Sequence, residues 1–174
     1  MTSMKKSFSS IALAIMCLFV LGTAAAFAQR HFMMSASARP QIKVKLSGAV
    51  ERDGAQLPID ATTSVRAGDV LDWTITSENE GSSAAREYKA VGQIPRGTQL
   101  IMGSTSSDGS AKVVYSIDNG RTFSAQPTIE ERQPDGSVKQ VPAPVSMYTN
   151  LRYEWSDPLA QGQRLTASYK VRVK

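Results

Sequence analysis

The chain has 174 residues, a formal net charge of +5, 41% hydrophobic residues and 20% charged ones. That length holds one ordinary domain core and is too short for a propeller or a large α/β barrel. The composition excludes a disordered tail and a polytopic membrane protein.

The first segment predicts an export signal over residues 1–28. Lys5 and Lys6 precede an apolar run from Ile11 to Leu21, and Ala26-Phe27-Ala28 follows as a small-x-small cleavage site. The uncharged stretch from Ile11 to Phe27 is 17 residues, short of the roughly 20 that span a bilayer. Cleavage is expected before Gln29. Cys17 is not expected to carry lipid, because Ala14-Ile15-Met16 lacks the small residue a lipoprotein site needs beside its cysteine. Removing the leader takes away the single cysteine and leaves 18 basic against 15 acidic residues, +3 over 146 positions. The bases are scattered among acids, so no nucleic-acid surface is indicated.

Residues 29–40 read as a flexible polar arm, and the folded domain as 41–174. Ile42, Val44 and Leu46 alternate with polar residues, as in a strand with one face on a core. Turn signals follow at Asp53-Gly54 and Ala67-Gly68-Asp69. Val70 to Glu78 is the clearest strand, with Leu71, Trp73 and Ile75 on one face. Further strands are predicted over Arg86 to Ile94, Thr98 to Gly103, Ala111 to Ile117, Arg121 to Ser124, Thr128 to Arg132, Val138 to Val141, Asn150 to Trp155 and Leu165 to Val173. Asp118-Asn119-Gly120 separates two of these as a hairpin turn. After the leader no apolar pattern keeps helical spacing for three turns. The reading is an all-β, antiparallel immunoglobulin-like sandwich of about seven to nine strands. Trp73 and Trp155 are assigned to its core.

The run Arg66-Ala67-Gly68-Asp69-Val70-Leu71-Asp72-Trp73-Thr74-Ile75-Thr76-Ser77-Glu78-Asn79-Glu80-Gly81 resembles the signature of the bacterial conserved-repeat domains, domain of unknown function eleven. Ile94-Pro95-Arg96-Gly97-Thr98 resembles that family's Leu-Pro-x-Gly element, Tyr115 to Phe123 a hairpin common in its members, and Leu159 to Val173 its closing loop and strand. Two positions depart from the pattern: Gly92 stands where Asp is frequent, and Ile94 replaces Leu. The resemblance covers residues 41–174 and implies an exported immunoglobulin-like module of the cell envelope. It brings no catalytic residues.

Ser116, Asp118, Gly120, Thr122 and Phe123 also match the Asp-box of sialidases, a structural turn whose short polar side chains satisfy backbone amides while its aromatic tucks inward. Sialidase chemistry itself would need a multi-bladed propeller and a constellation of arginines assembled on it, both beyond 146 residues. His31 in the arm is the single histidine, which leaves no basis for Cys-His, Ser-His-Asp or zinc chemistry. Glu130 and Glu131 are adjacent on a strand and point to opposite faces, as a solvated edge does. Phosphate-cradling glycine loops and calcium loops are missing from the sequence.

The expected product is therefore a noncatalytic, cofactor-free module, periplasmic or extracellular. Its expected role is structural or adhesive, through contact with an envelope or extracellular protein along a sheet edge. The alternative is a soluble carbohydrate-binding module that presents Tyr88, Tyr148 or Tyr153 for sugar stacking.

Overall fold

The structure, a computed structural model, describes residues 38–52, 54–60 and 63–174. The leader 1–28 and positions 29–37 of the arm lie outside the described residues; Ala38, Arg39 and Pro40 are exposed and outside any strand.

Eleven strands are present among the described residues: β1 (Ile42–Arg52), β2 (Ala55–Pro58), β3 (Val70–Asn79), β4 (Lys89–Gln93), β5 (Thr98–Leu100), β6 (Ser106–Ser107), β7 (Ala111–Ser116), β8 (Thr128–Arg132), β9 (Val138–Pro142), β10 (Asn150–Trp155) and β11 (Arg164–Val173). The one helical element among them is a 3₁₀ turn, Val145–Met147. Every strand pair is antiparallel, so the chain is all-β. The count exceeds seven to nine because β2 and the two-residue β6 lack the length that alternation needs to show itself.

A six-stranded sheet runs β2-β1-β3-β11-β5, with β6 also on β11; a three-stranded sheet runs β4-β10-β7; β8 and β9 form a separate ribbon. β3 organises the large sheet, because its ten residues pair along their length with both β1 and β11. Alternation sends Leu71 and Ile75 inward from β3, and Ala167, Tyr169 and Val171 inward from β11, all buried. Leu151, Tyr153 and Trp155 of β10 answer from the smaller sheet.

The two sheets are tied across the core by phenols. Tyr153 Oη donates to the carbonyl of Ser168 at 2.6 Å, and Tyr169 Oη to that of Gln93 at 2.7 Å. Burial pushes both phenols up, Tyr169 to about 12. The Tyr169 ring lies on Gly92, where a Cβ would sit 2.5 Å from its Cε1, so the close approach of β4 to β11 requires glycine there.

Asn79, at the end of β3, is fully buried and saturated with hydrogen bonds. Its Oδ1 accepts from the amides of Gln41 (3.2 Å) and Gly81 (3.1 Å), and its Nδ2 donates to the carbonyls of Ser83 (2.7 Å) and Leu159 (2.9 Å). One side chain thus joins the start of β1, the loop after β3 and the segment before β11.

The β8–β9 ribbon is almost wholly exposed, with Ile129 and Val141 half-buried at its base. Glu130 and Glu131 lie on it in solvent. The amide of Ala143 donates to the carbonyl of Pro127 at 2.8 Å and closes the neck.

Candidate functional site

The Ser116–Phe123 turn is built from its own side chains. Ser116 Oγ donates to Asp118 Oδ1 at 2.7 Å and accepts from the Gly120 amide at 2.9 Å. Asp118 then takes the amides of Arg121 and Thr122, and the Thr122 hydroxyl at 2.6 Å. These bonds, the Thr122 hydroxyl foremost, hold the Asp118 carboxyl well below the usual carboxylate range. Asn119 (φ 60°) and Gly120 (φ 82°) carry the left-handed backbone. Arg121 to Ser124 is consequently not a strand: its first amides are committed to Asp118, and the sole ladder contact is the isolated bridge from Ser124 to Tyr115. Phe123 does not enter the interior either. It lies half-buried against the Arg152 guanidinium, 4.1 Å from ring centre to Cζ. The turn is a structural unit whose hydroxyls and carboxylate are spent on its own backbone and on one another.

Trp155 is buried, donates through Nε1 to the Asp108 carbonyl at 2.8 Å, and stacks between Tyr88 and Tyr153 with centroids 5.6 and 5.9 Å away. Trp73 is partly buried beneath Gly48, and its Nε1 is enclosed without a partner among the described residues. Of the tyrosines proposed for sugar stacking, two are turned inward. Tyr153 is fully buried, Tyr148 is buried against Tyr115, and Tyr88 is half-buried with its hydroxyl on Ser77 Oγ at 2.8 Å. Tyr153 and Tyr148 offer no open ring face, and Tyr88 has one face stacked on Trp155.

β1 departs most from the sequence reading. Ile42, Val44 and Leu46 do share the core-facing side, since they pair with Asn79, Ser77 and Ile75 of β3. Yet Val44 and Leu46 are each 57% exposed, and Ile42 is only half-buried. The facing sheet has three strands, and it leaves this end of the larger sheet uncovered. Covering both side chains would contribute about 2–3 kcal/mol.

The backbone here is also open. β2 pairs with β1 only from Ala49 to Arg52, and the last bond on that side is from the Ile59 amide to the Gly48 carbonyl, 2.8 Å. Alternate residues of an antiparallel strand aim both backbone groups at the same neighbour. Leu46, Val44 and Ile42 therefore aim theirs the same way as Gly48, where no strand stands among the described residues. The result is an unpaired edge of about 20 Å at ~3.3 Å per residue. On the opposite side of the strand, Lys43 and Lys45 line a shallow depression with Thr76, Glu78 and Arg164. Lys43 is held by Glu80 at 3.0 Å, which raises its pKa, and Arg164 by Glu78 at 2.7 Å. The sequence held one signal of this edge: lysine at every second position of an apolar strand, a common guard on strands that lack a neighbour.

Among the described residues no group of three or more His, Cys, Asp or Glu side chains is placed to hold a metal ion, and no helix is long and apolar enough to cross a membrane. No protein-family model, curated protein or solved structure matches the chain.

Proposed function

We propose that this chain is an exported, noncatalytic immunoglobulin-like module, similar to the bacterial conserved-repeat domains, with a structural or adhesive role in the cell envelope, where it contacts another macromolecule through a sheet edge. The observation that carries the reading is the edge of β1, where unpaired backbone lies beside exposed Val44 and Leu46. An edge of this kind binds extended chains by main-chain pairing, which needs no catalytic group. The leader pattern of residues 1–28 supports the location.

The test has two arms. Fusion of residues 1–28 to a reporter active only outside the cytosol should give activity in a bacterial host. A photocrosslinking residue at position 44 of the full chain should trap a polypeptide in the envelope fraction, whereas the same residue at exposed Gln161 should not. A silent reporter, or adducts independent of the position, would refute the proposal.

A further inference from the structure

We infer that the open half of β1 is a docking site for an extended segment of another protein in which apolar and acidic residues alternate, and that it is built to reject a second copy of this chain. The inference rests on the proposed edge-binding role and specifies the partner's chemistry.

A strand added at this edge places each of its residues beside one residue of β1 and on the same face. Residues set against Val44 and Leu46 fall on the core-facing side, next to exposed apolar groups and the uncovered end of the sheet. Residues set against Lys43 and Lys45 fall on the outer side. There Lys43 is already held by Glu80, while Lys45 is exposed and has no ion-pair partner among the described residues. The favoured occupant therefore alternates an apolar side chain with a carboxylate.

A second copy fails the same test. Antiparallel pairing of two β1 edges must stay clear of Gly48, whose carbonyl is taken by Ile59. The registers that do so set Val44 against Val44 or against Ile42, which brings Lys43 opposite Lys45, or Lys43 opposite itself. Like charges directly opposed weaken a strand pair. The two lysines thus select for an acidic partner and against self-association with the same charge.

The probe is a capped ten-residue peptide of alternating valine and glutamate, compared with a valine–lysine peptide and with a block-ordered peptide of the same composition as the first. Binding to the full chain is read by fluorescence anisotropy. The valine–glutamate peptide should bind at least tenfold more tightly than either control and shift the amide resonances of Val44 and Leu46. Val44→Pro removes an N–H that points away from β3, so it should abolish binding while the melting temperature stays within a few degrees. Leu46→Lys, on an exposed side chain, gives a second variant with the same expected loss. Lys45→Glu should weaken the acidic peptide about tenfold and, by setting Lys43 of one copy opposite the introduced carboxylate of the other, turn a monomer into a concentration-dependent dimer in sedimentation.

Equal binding of all three peptides, no binding of any, or binding indifferent to Val44→Pro and Leu46→Lys would overturn the inference. So would a wild-type dimer dissolved by Val44→Pro, which would make a second copy the occupant. If the peptide fails while crosslinking at position 44 still traps an envelope polypeptide, the partner chemistry is wrong and the proposed role stands; the reverse result removes the role and keeps the edge chemistry.

Discussion

Asn79→Ala should be among the most damaging single substitutions outside the apolar core. It removes one hydrogen bond from each of four backbone groups. The Gly81 amide loses a fully enclosed bond and is left unsatisfied, at about 1–3 kcal/mol; the Leu159 carbonyl also loses an enclosed bond but keeps the Ala85 amide at 2.9 Å, so its loss is about 0.5–1 kcal/mol. The bonds to Gln41 and Ser83 are only partly enclosed, so water replaces them at roughly 0.5 kcal/mol each. The sum, about 2.5–5 kcal/mol, is a large share of the ~5–15 kcal/mol by which a domain is stable. For a domain of this size it corresponds to a fall in Tm of roughly 10–20 °C. Urea unfolding followed by the fluorescence of Trp73 and Trp155 measures it, and hydrogen exchange at residues 41–44 should accelerate as the start of β1 comes loose. Asn79→Asp separates hydrogen bonding from shape: it keeps the outline but sets an oxygen against the carbonyls of Ser83 and Leu159, so at neutral pH it should cost at least as much. A loss below about 1 kcal/mol in either variant would refute the reasoning.

Gly92→Ala forces a methyl group onto the Tyr169 ring and should cost about 1–3 kcal/mol in the same urea assay; an unchanged midpoint would mean the sheets yield at that point. Asp118, Asp69 and Asp135 all have carboxyls held below their ordinary range, by the hydroxyl of Thr122, the guanidinium of Arg52 and the hydroxyl of Ser137 respectively. Their contribution is present above the unfolded carboxylate value of about 3.9 and is lost as pH falls through the lower folded values. Stability should therefore be flat near neutrality and decline below about pH 4, with a shallower acid limb in Asp118→Asn. At the alkaline end Tyr153 and Tyr169 are raised by burial, so their contribution is complete below about pH 10 and lost as pH climbs toward 12. Phenolate absorbance from these two should appear only together with unfolding; earlier ionisation would contradict their burial.

Much of the fold is legible in the sequence because alternation is a local property. Leu71, Trp73 and Ile75 on β3, and Leu165 to Val173 on β11, fall on one face as their spacing demands. What alternation cannot convey is how wide the opposing sheet is. Ile42, Val44 and Leu46 carry the same pattern as a buried strand, and they stand uncovered because three strands face six. The Ser116–Thr122 turn is readable in outline, since its residue types match the bonds they make. Its effect on Arg121 to Ser124 is not, because strand propensity there gives way to a carboxylate that captures the amides first. Tyrosine is ambiguous by nature: Tyr148 and Tyr153 are as apt for a core as for a surface, and only the packing decides. Asn79 hides for a related reason. Beside Glu80 and Gly81 it has the look of an ordinary turn residue, and its long-range partner Leu159 lies 80 positions away.

The β8–β9 ribbon has a practical meaning. Its two strands leave and re-enter the body at Pro127 and Ala143, whose own hydrogen bond clamps the junction. Past the half-buried pair Ile129 and Val141, whose isoleucine packs on the core, the ribbon is a detachable finger reaching about 10 Å at ~3.4 Å per residue. A fluorophore or affinity tag grafted between Gln133 and Ser137 would ride clear of the interior, and swapping the whole finger for a tight loop should leave the remaining strands in register.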